Sequence, residues 1–151
     1  MPAPVVVAET VLVAIKARLD LITGANYNTA PTVQVGVPRD ALPEGAGERL
    51  YLAHTNSDTQ HEAAAPQHAE RATYLVWCVS ADPVQGHLKA LRLVRDVQKA
   101  VRSGFAAIEA AGANHGVALT GYIRDDQVER ITGATAYSFG ITADWVVDLT
   151  V

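Results

Sequence analysis

Ser138 stands in Ala136-Tyr137-Ser138-Phe139-Gly140, one residue short of a nucleophile elbow. An elbow needs a sharp strand-to-helix turn, with an acid and a histidine following the serine in the chain. Apolar and small residues alternate on both sides of Ser138 and no histidine follows His115, so the serine reads as mid-strand. His61-Glu62 opens like a zincin helix, but residue 65 is alanine and the second ligand is missing. His54, His61 and His68 recur every seven residues. Structural zinc normally takes four ligands and no cysteine is near, so these read as solvated loop histidines. Asp125 and Asp126 could hold a cation with Glu129, but read more simply as a charged hairpin tip, solvated or meeting a partner. Gly45-Ala46-Gly47 lacks the third glycine and following helix of a dinucleotide fingerprint, and no Walker lysine motif exists. Cys78 is the single cysteine, so no intramolecular disulfide forms. Set among apolar neighbours, it reads as a buried, inert thiol. We expect no enzyme, no metal and no cofactor.

The elements around these residues are legible from periodicity. Ala8, Val11, Leu12, Ile15, Leu19 and Ile22 form one stripe of a helix over residues 5–22, which Gly24 is placed to end. Thr32–Val37 and Arg49–His54 read as strands, separated by a loop carrying Pro43, Gly45 and Gly47. Thr55–Glu70 has no lysine or arginine and holds Asp58, Glu62 and Glu70, three alanines in a row and Pro66; it reads as a long flexible polar loop. Arg71–Ala81 is a strand apolar on both sets of alternating positions, hence central in a sheet. Asp82-Pro83 opens a second helix, with Gln85 completing a capping box. Its apolar stripe is read as Val84, Leu88, Leu91, Val94, Val97 and Val101. Gly104–Gly116 is a loose helical extension or a loop. Val117–Ile123 is a strand and Arg124–Arg130 a charged tip.

From Thr135 to Val151 the chain alternates again. Tyr137, Phe139, Ile141, Ala143, Trp145 and Val147 fall on one side; Ser138, Gly140, Thr142, Asp144 and Asp148 fall on the other. Fourteen strand residues span ~46 Å at ~3.3 Å each, more than the ~40 Å diameter expected of a compact domain of this length. The strand must bend, with Gly140 as the expected bulge, or project. Its expected neighbour is Arg71–Ala81, and Thr142–Val151 is the part expected to reach another subunit. The fold class is α+β: a mixed, mostly antiparallel sheet with two amphipathic helices on one face, in the order α-β-β-loop-β-α-β-β.

The 151 residues suffice for one domain with a sizeable core. A hydrophobic fraction of 49% excludes a disordered chain, and 19% charged residues leave a thin polar surface consistent with burial between chains. The first basic residue is Lys16, so no charged n-region precedes the apolar run Val5–Ile15, which is too short to span a bilayer. We expect a soluble protein made in a cytoplasm, with no membrane partner. The net charge of −4 disfavours nucleic-acid binding by the whole chain. Five of the twelve basic residues nevertheless lie on the second helix: Lys89, Arg92, Arg95, Lys99 and Arg102. They read as a solvated face or as a contact for an acidic neighbour such as the 55–70 loop of an adjacent copy. The expected interface set is Asp58, His61, Glu62, Arg92, Arg95, Lys99, Arg124, Asp125, Asp126, Arg130, Asp144, Trp145 and Val147.

The order of elements resembles the tail-terminator (tail-completion, minor tail) proteins of long-tailed bacteriophages. The likeness rests on the amphipathic helix Val5-Val6-Val7-Ala8-Glu9-Thr10-Val11-Leu12-Val13-Ala14-Ile15-Lys16-Ala17-Arg18-Leu19. It rests also on the strand Val76-Trp77-Cys78-Val79-Ser80-Ala81 running into the helix capped by Asp82-Pro83, with Leu91–Val101 later in it, and on the long terminal strand. It covers most of the chain; the 55–70 and Gly104–Gly116 segments lie outside it. The resemblance implies a homo-oligomeric ring, typically six copies, that caps the tail tube, ends its polymerisation and joins the tail to the head-side connector. DNA would pass its lumen without specific binding, and the protein would be assembled in the host cytoplasm and reside in the virion tail or neck. A different head-tail connector or stopper, or a small cytoplasmic binding module, is the alternative.

Overall fold

The computed structural model describes residues 6–37, 47–60, 67–82, 84–111, 118–120, 127–131 and 134–148. Helix α1 (Val7–Leu19) buries Val7, Val11, Ile15 and Leu19, one residue per turn. It ends at Asp20, whose N–H donates to the Lys16 carbonyl, and not at Gly24. The chain turns immediately, with Ile22 N–H donating to Leu19 O and Ile22 itself buried, so the apolar stripe outruns the helix. Gly24 (φ 90°) serves the turn that follows.

Strands β1 (Thr32–Val35), β2 (Glu48–Gln60), β3 (Gln67–Ser80), β4 (Ala118–Thr120), β5 (Gln127–Ile131) and β6 (Ala134–Asp148) make one mixed, mostly antiparallel sheet. The order is β1-β2-β3-β6-β4, with β5 also on β6. Only the β1–β2 pair is parallel. The expected neighbour of the C-terminal strand is the observed one: β6 pairs with β3 without a break from Ser80↔Thr135 to Gln67↔Asp148. Gly140 sits in register opposite Leu75, so the expected bulge is absent there. The irregularity is on β2 instead, between His54 and Asn56. There the Thr55 hydroxyl donates to the Thr73 carbonyl.

The largest departure from the sequence reading is at 55–70. Residues 55–60 continue β2 and 67–70 begin β3, paired Ser57↔Ala72, Asp58↔Arg71, Thr59↔Glu70 and Gln60↔Ala69. Residues 61–66 lie outside the described residues. The polar composition that suggested a loop is outweighed by ladder hydrogen bonding, because β3 is held along its other edge by β6 over the same residues. The charged tip at 124–130 is likewise partly strand, since β5 takes up Gln127–Ile131 against the start of β6.

One face of the sheet carries Leu50, Leu52, Ala72, Tyr74, Val76, Cys78, Tyr137, Ile141, Ala143 and Trp145 into a core shared with the helices. The Tyr74 hydroxyl donates to the Ala8 carbonyl at 2.8 Å and ties α1 to β3. Tyr51, Ala53, Trp77, Val79 and Ala136 are buried in a second, smaller cluster. By strand alternation they occupy the opposite face, so β3 is central and covered on both sides.

Helix α2 (Gly86–Ser103) starts three residues later than expected, with Gln85 and not Asp82 at its N-cap position. The Asp82 carboxylate still caps: it accepts from the N–H groups of Val84 and Gln85 and from Lys89 Nζ, but in the turn before the helix. The buried stripe also differs from expectation. Ala90, Leu93, Val94, Val97, Ala100 and Val101 face the core, whereas Leu88 is 45% exposed and Leu91 43%. Two overlapping stripes satisfy a 3.6-residue period here. The one containing Ala90 and Ala100 is the one buried. Ala-rich Phe105–Ala111 forms a third helix, α3, packed on α1 through buried Ile108. Gly104, between α2 and α3, lies under the Arg18 side chain; a Cβ there would stand 2.1 Å from Arg18 Nε and force that arginine away.

Candidate functional site

The residues that sequence reading tested for chemistry are not gathered. Ser138 is buried within β6, opposite Trp77, with paired strand residues on both sides of it. Cys78 is buried too, and burial, aided by the Asp96 charge, pushes its thiol well above the usual range. His54 is exposed and meets the edge of Tyr74, while the backbone of His68 pairs with Val147. No group of three or more His, Cys, Asp or Glu able to hold a metal occurs among the described residues. The pair His61-Glu62 and the tip residues Arg124, Asp125 and Asp126 lie outside the described residues.

The structure does organise two charged surfaces. One is the far end of the long strands. Fifteen residues of β6 at ~3.3 Å extend ~50 Å, whereas the eighteen of α2 at ~1.5 Å cover only ~27 Å. β2, β3 and β6 therefore run well past α2. At that end Asp58 and Asp144 stand opposite Arg71 from its two sides. Arg71 grips Asp144 with two parallel hydrogen bonds of 2.7 and 3.1 Å. One rung on, Trp145 is 2% exposed and its Nε1 donates to Glu70 at 2.8 Å. The Tyr74 phenol is pushed up, first by burial and then by the Glu70 charge. Trp145 therefore belongs to the chain's own core, and β6 is an interior strand. Asp144 is tied to Arg71, and Val146 is 49% exposed. Val147 pairs with His68, and Arg130 on β5 pairs with Thr135.

The second surface is the outer side of α2 and the segment leading to β1. Asp96 is 2% exposed and lies on the buried stripe. Its carboxylate accepts four hydrogen bonds of 2.6–3.1 Å: from the N–H and side-chain amide of Asn28, and from the N–H and hydroxyl of Thr29. A buried carboxylate persists only with such a full set of donors. Beside it, Lys99 donates to the Asn26 carbonyl and lies 4.7 Å above the Tyr27 ring. The result is a cleft of about 520 Å³ between Ala25–Asn28 and α2, rimmed by Arg95, Lys99 and Arg102. Arg92, Arg95 and Arg102 make no hydrogen bond or ion pair with a described residue. Arg18 and Arg71, by contrast, each donate side-chain hydrogen bonds within the chain.

Sequence reading found the basic stripe and missed its anchor. Asp96 is the single acid set among Leu93, Val97 and Ala100, and a lone carboxylate on an apolar stripe is a signal for a buried partner. The Asn28–Thr29 donors could be identified only from the fold.

No protein-family model matches the chain, and no curated protein matches it. Among solved structures, a chain from the "Virion of native gene transfer agent (GTA) particle" aligns over 95% of this chain and all of its own length, with 14% identity and a TM-score of 0.47. A likeness of that degree assigns neither family nor function.

Proposed function

We propose that the protein is a structural component of a phage-like particle: a ring, of about six copies, that caps the tail tube and joins it to the head-side connector. The observation that carries this reading is the order of elements with its pairing, in which the long terminal strand lies along the strand that runs straight into capped helix α2. That order of elements is the one on which the tail-terminator resemblance rests. Two unlike charged surfaces on one chain, an acidic strand end and a basic helix, suit a heterologous contact that closes into a ring. The net charge of −4 suits a lumen through which DNA passes without sticking. On this reading the protein makes and breaks no bonds, and its partners are its own copies, the tube and the connector.

The test is electron microscopy of the purified protein mixed with tail tubes and, separately, with portal assemblies. Rings on tube ends are the expected outcome. Binding to portals alone would move the protein to the neck as a connector or stopper, and binding to neither would end the virion reading.

A further inference from the structure

The outer side of α2 is one continuous stripe of two characters. Leu88 and Leu91 are exposed in its first half, and Arg95, Lys99 and Arg102 follow at three- and four-residue steps in its second. Leu88 and Leu91 keep 45% and 43% of their surface exposed, and no described residue makes a side-chain hydrogen bond or ion pair with Arg95 or Arg102. A phosphate backbone would use the arginines and leave the leucines wet; a polypeptide surface uses both.

Charge says which polypeptide. α2 holds five basic residues and one acid, making the helix +4; the other seven basic and fifteen acidic residues make the rest of the chain −8. Acids recur at the far end of the long strands, where Asp58, Asp144 and Asp148 take positions on three neighbouring strands around Arg71; Glu70 lies on the other face, bonded to Trp145. Exposed Val146 sits there between Asp144 and Asp148. Acids about 6.6 Å apart per two strand residues can follow cations that rise ~4.5–6 Å per step along a helix.

We propose that the α2 stripe, from Leu88 to Arg102 with the adjoining cleft, is the docking surface for the acidic strand end of a second copy of this chain. The contact is heterologous: each copy offers its strand end to one neighbour and its helix to the other. Val146 meets the leucines, and the carboxylates meet Arg95 and Arg102. This inference rests on the self-assembly in the proposed function but not on where the assembly sits in a particle.

The test is sedimentation equilibrium of the full chain across NaCl concentration, for the wild type, for Arg95→Glu/Arg102→Glu, and for Val146→Lys/Asp148→Lys, which leaves the Arg71–Asp144 pair in place. We expect the wild type to associate, association to weaken as salt rises, and each variant alone to associate at least tenfold more weakly while keeping its circular dichroism. An equimolar mixture of the two variants should regain association, which a merely structural role for these residues would not produce. Wild-type-like association of the arginine variant would overturn the surface and leave the ring standing. So would failure of the mixture to regain association. A wild type that stays monomeric at low salt would overturn the inference as well. Loss of binding to a duplex DNA probe in the arginine variant, without loss of self-association, would reassign the stripe to nucleic acid. The proposed function fails separately, if the wild type associates but binds neither tube nor portal.

Discussion

The two halves of β3 are built from the same ladder and held by different forces. From Ala72 to Ser80 every residue is buried or half-buried, with Val76 and Cys78 under the helices and Trp77 and Val79 on the other face. From Gln67 to Arg71 the same strand carries polar and charged residues, and its described contacts are Arg71 with Asp144 and Glu70 with Trp145. Both halves are hydrogen-bonded on both edges, to β2 and to β6. Backbone pairing alone therefore does not require an apolar strand. It requires neighbours that run alongside it, and apolar burial is needed only where helices must be held.

Trp145 is the residue that most directly breaks this division, because it puts a buried ring into the polar half. Trp145→Asp should cost at least about 4 kcal/mol, removing a large buried side chain and setting a second carboxylate beside Glu70. Urea denaturation would show it; an unchanged midpoint would mean the polar half has no core of its own. Next in size, Asp96→Ala should cost about 2–3 kcal/mol, since it strands buried donors at Thr29 and partly buried ones at Asn28. Hydrogen exchange should then accelerate at the Asn28 and Thr29 amides. Unaltered exchange would show that the segment before β1 is held by something other than this carboxylate. The smallest effect lies at the covered end. Asp82 is lowered to about 2, first by the Gln85 N–H and then by Lys89. Its folded value is below the ordinary 3.8, so its contribution is complete above about pH 4 and fades as pH falls through about 2. Asp82→Asn should flatten the stability profile across that window only, as thermal melts at pH 2 to 6 would record. A variant that parallels the wild type throughout would remove Asp82 as an acid-sensitive cap.

Periodicity exposed the elements whose burial is one-sided. The α1 stripe, the alternation of β6 and the doubly apolar run of β3 were all readable, and so was the β3–β6 partnership. The second half of the α2 stripe, Val94, Val97 and Val101, was readable too; its first half was not, because Val84, Leu88 and Leu91 match a helical period as well as Ala90, Leu93 and Ala100 do. Alanine's small volume hides a core position from any hydrophobicity count. The far ends of β2 and β3, residues 55–60 and 67–70, were illegible for a different reason: they are strand only because their neighbours are. Of the interface residues expected from sequence, Arg95 and Lys99 share one cleft, with Arg102 beside them, and Arg92 lies outside it. Trp145 turned inward, where alternation had put it, and is unavailable on the surface.

The seamless β3–β6 ladder also fixes an order of events during synthesis. β3 is complete at Ser80, but the strand that closes its second edge begins at Ala134. At ~5–20 residues per second the ribosome needs several seconds to deliver it. Throughout that interval one edge of a fourteen-residue strand is open, with Tyr74, Val76 and Cys78 beside it. A chain stalled or cut before Ala134 would carry that sticky edge permanently, so the newly made protein is most vulnerable to aggregation just before its last strand arrives.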